Sequence, residues 1–224
     1  MATDKREPFH WRTSIAYKTQ PKIVIRGYDL NELVGNLDLA EMAYLVWRGE
    51  LPSEAHGRML NAIMVCLAEH AFSPSAASAR FVASGGVPLH VGVAGGMLTI
   101  GDIHGTFDRP CAMFRDGVTR AKAEGKTLEE MADILVREAK EKKKRLPGYH
   151  HPQHIQDPRS GRLVEVGRKL GVAGEHTRLA LLMEDATQRH HGKRVYINAV
   201  GVSGALLADM GFEPELAKGA MLVS

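Results

Sequence analysis

Disulfides, membrane spans and a nucleic-acid-binding charge excess are all missing from this sequence. Two cysteines, Cys66 and Cys111, are too few for a disulfide framework and form no C-x-x-C unit. They fit reduced thiols, and a cytoplasmic setting is expected. The net charge of +3 is too balanced to imply a nucleic-acid surface by itself. The first eleven residues, Met1 to Trp11, are polar and charged, without the apolar stretch of a secretory leader. No run of apolar residues reaches the length a membrane span needs. Internal repeats and low-complexity linkers are also missing. Hydrophobic residues nevertheless make up 44% of the 224, enough for a sizeable core and against disorder.

The patterning is helical almost throughout. Ile23-Val24-Ile25 followed by Arg26-Gly27-Tyr28-Asp29 predicts a short strand and turn. A helix is expected over 38–49, ended by Gly49 and Pro52, and Ser53 caps the next, running to about His70. Pro74-Ser75 opens another, closing near Gly85-Gly86. Pro88 to Ile100 is apolar nearly all round and rich in Gly and Ala, which predicts a buried central helix. Thr127-Leu128-Glu129-Glu130 reads as a capping box. Further helices are expected at about 160–171, 175–191, 198–211 and from Pro214 onward. The fold class is therefore all-α. The expected division is a large helical domain from 1–105 and 192–224, with an N-terminal strand and turn, and a small lobe from 106–191.

Three constellations carry chemistry. The first is Pro147-Gly148-Tyr149-His150-His151, followed by His154 and Asp157-Pro158-Arg159, just after the basic run Lys142-Lys143-Lys144-Arg145. Histidine trades protons near neutral pH, arginine clamps carboxylates in a bidentate fork, and lysines attract phosphates. Together they imply a site for a carboxylate substrate and a phosphorylated carrier. The second is Gly101-Asp102-Ile103-His104-Gly105, where flanking glycines let a ligand approach the backbone. The third is Glu69-His70 with Ser75 and Arg80. Plain readings compete with each: a solvated basic loop, a satisfied polar residue, a helix-end cap. Metal binding by His150, His151 and His154, with His190-His191 elsewhere, is set aside because the spacing matches no common zinc site.

Taken in order, these pieces resemble the citrate synthase superfamily, most of all its short citryl-CoA lyase-like branch. The resemblance runs from about residue 11 to the end. It rests on Trp11-Arg12-Thr13-Ser14-Ile15, the Ile23–Leu30 segment, His70 with Ser75 and Arg80, and Ala94 through Gly105. It continues through the Pro-Gly-Tyr-His-His turn with Asp-Pro-Arg, and Tyr196-Ile197-Asn198 through Phe212. The resemblance implies an all-helical fold with a large domain and a small CoA-side lobe, working as a homodimer. It implies carbon–carbon bond chemistry between a CoA thioester and oxaloacetate, with no metal. His104 would stabilise the enol at the thioester, and His150 or His151 would polarise the ketone or take the hydroxyl proton. His70, Arg80 and Arg159 would hold carboxylates. Lys143, Lys144, Arg145, Pro147, Gly148 and Tyr149 would line the coenzyme A side.

The chain also departs from that pattern. Val200 stands where the family has a proton-transferring aspartate, and valine moves no proton. His150 replaces a glycine, and Thr106-Phe107 replaces small residues, so that Phe107 is expected to narrow the acyl pocket or shift the CoA path. Asp209 lies on a helix nine residues later and is expected to point elsewhere. The sequence stops at Ser224, where relatives carry a further tail with a substrate-contacting arginine. Three functions follow: a citryl-CoA lyase-like enzyme with altered proton transfer, an enzyme of this fold for another acyl-CoA or oxo acid, or a non-catalytic paralogue binding CoA or a carboxylate. Nucleic acid and membrane are not expected partners.

Overall fold

The computed structural model describes residues 12–69 and 72–224. The chain divides into two compact units, one ending at Pro52 and the other spanning Ser53–Ser224. In the first, β1 (Ala16–Lys18), β2 (Ile23–Ile25) and β3 (Tyr28–Asp29) form an antiparallel sheet in that order. The expected strand is β2; β1 (Ala-Tyr-Lys) and β3 (Tyr-Asp) have no β-branched run like Ile23-Val24-Ile25 to reveal them. Arg26 (φ 49°) and Gly27 (φ 94°) make the left-handed turn between β2 and β3. Asp29 then caps the short α1 (Leu30–Leu33). α2 (Leu39–Arg48) starts from a capping box of Asp38 and Glu41 and stops at Gly49 in the left-handed region. The Arg26 guanidinium donates to the Val46 carbonyl from Nε at 2.9 Å and Nη2 at 2.6 Å. It satisfies an acceptor that the last turn of α2 leaves open.

The second unit holds nine helices among the described residues. They are α3 (Glu54–Cys66), α4 (Pro74–Ser84), α5 (Leu89–Met97), α6 (Asp108–Ala123), α7 (Leu128–Glu141), α8 (Pro158–Lys169), α9 (Glu175–His191), α10 (Ala199–Asp209) and α11 (Pro214–Val223). Local chemistry starts several of them. Ser53 accepts from the His56 N–H, Ser73 from Ala76, and Thr127 with Glu130 forms the expected box. α3 ends at Cys66, one turn earlier than its pattern predicts. α6 escaped the sequence reading. Pro110 sits in its first turn, where a missing N–H costs nothing, and Gly117 interrupts its apolar stripe. That glycine admits Leu179 and Leu135; a Cβ there would come within 2.7 and 2.9 Å of their methyls.

The centre of this unit is α10, not α5. Ala199 and all residues from Gly201 to Ala208 are buried. α10 packs against α6, α8 and α9, while α7 packs against α9. The expectation that Pro88–Ile100 forms a buried central helix does not hold in the single chain: Leu89 is 85% exposed, Val93 51% and Leu98 87%. Only its small-residue stripe is covered, with Gly92 against Ala79 and Ala83 of α4, and Gly96 against Ser75 and Ala79. Both helices are rich in glycine and apolar side chains, so composition alone does not say which one the chain itself encloses. Replacing Ser53 with alanine is expected to lower stability by about 1 kcal/mol through loss of the α3 cap, with Ser53→Asp retaining it. Urea unfolding of the three proteins measures this.

Candidate functional site

The histidine turn is hung on the first turn of α10. Tyr149 and Ile197 form an antiparallel bridge. The His150 N–H donates to the Tyr196 carbonyl at 2.9 Å, and the Asn198 N–H to the Gly148 carbonyl at 2.9 Å. Asn198 does two jobs. Its Oδ1 accepts from the Gly201 N–H at 3.0 Å and caps α10, while its Nδ2 donates to the His150 carbonyl at 2.7 Å. Gly148 (φ 78°) and Gly201 meet backbone to backbone: a Cβ on Gly148 would overlap the Gly201 backbone, and one on Gly201 would overlap the Gly148 carbonyl. Only glycine fits either position. The Tyr149 side chain is a post beneath the turn. It is buried, stands edge-on to Phe114, and donates its hydroxyl to the Ala180 carbonyl at 2.6 Å.

Residue 150 has φ 70°, the left-handed conformation that glycine adopts without cost. Its imidazole is exposed, while His151 is half-buried. His151 Nδ1 accepts from the backbone N–H groups of Gln153 and His154, both at 3.2 Å. The neutral ring therefore carries its proton on Nε2. Burial lowers the His151 pKa; Asp157 works against that, and the neighbouring His154, Arg159 and His150 reinforce it.

Asp157 is the electrostatic anchor. Its carboxylate is fully shielded, caps α8, and accepts from Arg159 Nε and Nη2 at 2.9 Å each. It also accepts from the Arg159 N–H at 3.1 Å and from the Ala199 N–H of α10 at 2.9 Å. Burial alone would raise its pKa, but the guanidinium and backbone donors outweigh it and hold the group below the usual carboxylate range. Because Asp157 takes one edge of the guanidinium, the other edge of Arg159, Nη1 and the second Nη2 N–H, lies outside the ion pair. That side lies 3.5 Å from His151 Nε2. Arg159 also feels Cys66 and Glu69 at the end of α3. Burial raises the Cys66 thiol pKa, with Arg159 opposing it.

His104 is held by α4. Its Nε2 lies 2.9 Å from the Ser75 hydroxyl and 3.4 Å from the Ser75 N–H, which makes Nε2 an acceptor and puts the neutral proton on Nδ1. Burial lowers its pKa, so a neutral ring is favoured. Arg80 is exposed on α4, its guanidinium 5.6 Å from the ring centroid of Phe72. His70 lies outside the described residues. Phe107 is fully buried at the start of α6. Lys143, Lys144 and Arg145 are exposed beyond the C-terminus of α7, and Pro147 is half-buried. Val200 is the second residue of α10 and half-buried. Asp209 is occupied at the other end of that helix. It accepts from the N–H groups of Gly174, His176 and Thr177 and caps α9.

Three contributors were not given roles from sequence: Asp157, Asn198 and Glu184. Asp157 and Asn198 carry a signal, since Asp before Pro-x and Asn before a small-residue helix are cap positions. Glu184 carries none, because its partners lie ten and thirteen residues away in an irregular segment. Groups of three or more His, Cys, Asp or Glu able to hold a metal are absent among the described residues. Likewise no described helix is long and apolar enough to cross a membrane.

The citrate synthase C-terminal domain family matches residues 54–224. Among solved structures, citryl-CoA lyase from Hydrogenobacter thermophilus superposes with a TM-score of 0.86 at 38% identity, covering 95% of this chain and 81% of that one. An ATP citrate lyase mutant from Methanosaeta concilii in complex with (3S)-citryl-CoA superposes with a TM-score of 0.78 at 20% identity, over 98% of this chain and 38% of that one. Citrate synthase from Thermoplasma acidophilum, in a ternary complex with carboxymethyl coenzyme A and oxaloacetate, gives 0.66 at 19% identity, over 84% and 50%. The last two share the fold.

Two predictions follow from this geometry. Gly201→Ala should push the Gly148 turn off α10 and cost at least about 1–3 kcal/mol, read as a lower urea midpoint. The Asp157 carboxylate is depressed in the fold, so its stabilisation is complete above the ordinary value of 3.8 and lost as pH falls through its lower folded value. The gap in urea midpoint between wild type and Asp157→Asn should therefore be widest at neutral pH and shrink below about pH 4.

Proposed function

Because this chain belongs to the citrate synthase family, we propose that it acts on a CoA thioester as a citryl-CoA lyase-like enzyme, releasing acetyl-CoA and oxaloacetate. The observation that carries this reading is the buried Asp157–Arg159 clamp, which aims the outer edge of a guanidinium beside His151. Such an edge suits a carboxylate of the citryl group. The 38% identity to a citryl-CoA lyase supports the same substrate class.

The residues divide the work as follows. Residue 150 has the backbone of a glycine, which supports His151 as the counterpart of the family histidine. His151 donates from Nε2 to the tertiary oxygen of the substrate. His150, exposed beside it, takes the hydroxyl proton. As the carbon–carbon bond breaks, its electron pair passes to the acetyl thioester, and the ketone of oxaloacetate forms. His104 donates from Nδ1 to the developing enolate oxygen, a contact strongest in the transition state. Water protonates the enolate carbon to complete the methyl group of acetyl-CoA, and the hydroxide left takes the proton held by His150. Arg80 and His70 are assigned to carboxylates. Lys143, Lys144 and Arg145, with the Pro147-Gly148-Tyr149 backbone, are assigned to coenzyme A on a small lobe built from 106–191. The large lobe then comprises 1–105 and 192–224.

Val200 favours a second reading, a paralogue that binds CoA or a carboxylate without turnover, or one that serves another acyl-CoA. The two separate in one assay of oxaloacetate release from citryl-CoA. Lyase chemistry predicts multiple turnovers in wild type and a loss of about 10²–10⁴-fold in His104→Ala. Binding without turnover supports the paralogue, and turnover of a different thioester supports the altered substrate. His150→Gly should stabilise the fold by roughly 1 kcal/mol, by relieving a left-handed side chain, while lowering turnover. Unchanged turnover would move the proton to His151.

We also propose a homodimer in the cytoplasm, formed over the α4–α5 hairpin. Phe81 (80% exposed), Leu89 (85%) and Leu98 (87%) supply an apolar surface that the single chain leaves open. Sedimentation should give a dimer for wild type and a monomer for Leu89→Glu.

A further inference from the structure

The irregular segment 194–197 is the scaffold on which both halves of the histidine site hang, and one buried carboxylate holds it. Glu184 of α9 has a side chain only 10% exposed. Its Oε1 accepts from the Ile197 N–H at 3.0 Å, and its Oε2 from Arg194 Nη2 at 3.2 Å and Nε at 3.4 Å. A second tie runs alongside. The Thr187 hydroxyl donates to the Glu184 carbonyl at 2.6 Å and accepts from the Val195 N–H at 2.8 Å. Arg194 also pairs with Asp185 at 3.0 Å and lies over the Tyr196 ring.

The consequences run outward from this segment. Tyr196 receives the His150 N–H, and Ile197 pairs with Tyr149. The Ile197 carbonyl accepts from Ser160 at 3.0 Å, one residue beyond Arg159. Asn198, the next residue, caps α10 and grips the His150 carbonyl. Among the described residues no hydrogen bond joins Glu184 to a candidate catalytic group, yet the β-bridge and both backbone hydrogen bonds to the histidine turn start within one residue of Ile197, whose N–H it holds.

We infer that Glu184 is a positioning residue for His150, His151 and Arg159, acting through the Arg194–Asn198 segment; this rests on the lyase reading for its effect on turnover. A buried carboxylate that binds one backbone N–H and one guanidinium fixes two points of an irregular segment, Arg194 and Ile197, which meets the histidine turn through a single β-bridge. An amide at 184 keeps an acceptor for Ile197 and loses the ion pair. A leucine loses both and leaves a buried N–H unpartnered.

The test compares wild type with Glu184→Gln, Glu184→Leu and Arg194→Lys in the full chain. The expected result is a kcat lowered about 10–100-fold in Glu184→Gln, with KM for the thioester within about twofold and a helical circular-dichroism spectrum unchanged. Arg194→Lys, which keeps a cation opposite Glu184, should retain most of the wild-type rate. The His151 ring nitrogen resonances, assigned by His151→Gln, should move in Glu184→Gln without any ligand present. A merely structural glutamate would lower the melting temperature and leave kcat per folded molecule and the ring resonances alone. That outcome overturns the inference. If wild type itself fails to turn over citryl-CoA, the lyase reading falls, and the ring resonances still decide the positioning role.

Discussion

Everything at this site depends on one backbone contact, the seating of Gly148 on Gly201. Neither residue tolerates a side chain there, and the contact brings an irregular turn against the start of the most deeply buried helix. A turn of Pro, Gly and three histidines has no apolar face of its own and would wander on the surface. Docked on α10 it gains a β-bridge, two backbone hydrogen bonds and the Asn198 amide. Tyr149 then plugs the core beneath it, its hydroxyl satisfied by Ala180. Rigidity is borrowed from the helix, while the imidazoles stay at the surface where a ligand can reach them.

Charge is organised by the same contact. Burying a carboxylate without partners would protonate it. Asp157 escapes that because a guanidinium fork and the Ala199 N–H converge on it, and the N-terminal end of α10 favours an anion. The result is an ion pair with one shielded partner and one partner whose far edge faces out. Asp157 therefore orients Arg159 and neutralises only part of its field. His151 and His104 sit in surroundings that lower their pKa, so both are favoured as neutral donors at physiological pH. Their tautomers differ because their anchors differ: backbone amides hold Nδ1 of His151, and Ser75 holds Nε2 of His104.

The helices whose ends carry chemistry were readable from sequence: Ser53, Thr127, Gly49 and the prolines mark starts and stops that the structure keeps. α6 was not, because its proline and glycine serve packing against α10 and α9, and packing partners are invisible in one dimension. The same blindness exchanged α5 for α10. Both are apolar all round, and only tertiary contacts decide that α10 is enclosed by α6, α8 and α9 while α5 shows Leu89 and Leu98 to solvent. At the site, residue types with unusual chemistry stood out as a motif: the histidines and Arg159. Their supports did not. Glu184 looks like any surface glutamate on an amphipathic helix, and its role comes from a chain reversal that returns Ile197 and Arg194 to it.

Positions 150 and 200 bear jointly on the lyase reading proposed above. A carboxylate at 200 would lie in the first turn of α10, next to the Ala199 N–H that Asp157 already uses. Valine brings no charge to a helix start whose Ala199 N–H already serves the carboxylate that holds Arg159. If the ligand is the citryl group proposed above, which brings carboxylates of its own, a neutral residue there adds no repulsion. On that reading it also offers no base at the methyl carbon, the group that condensation needs. Cleavage needs its base at the hydroxyl, and the base proposed for it, His150, stands on a left-handed backbone that glycine would adopt without cost. Under the proposed lyase reading the two residues pull the same way, an uncharged side chain at 200 and an imidazole at 150 leaving proton acceptance to the alcohol end.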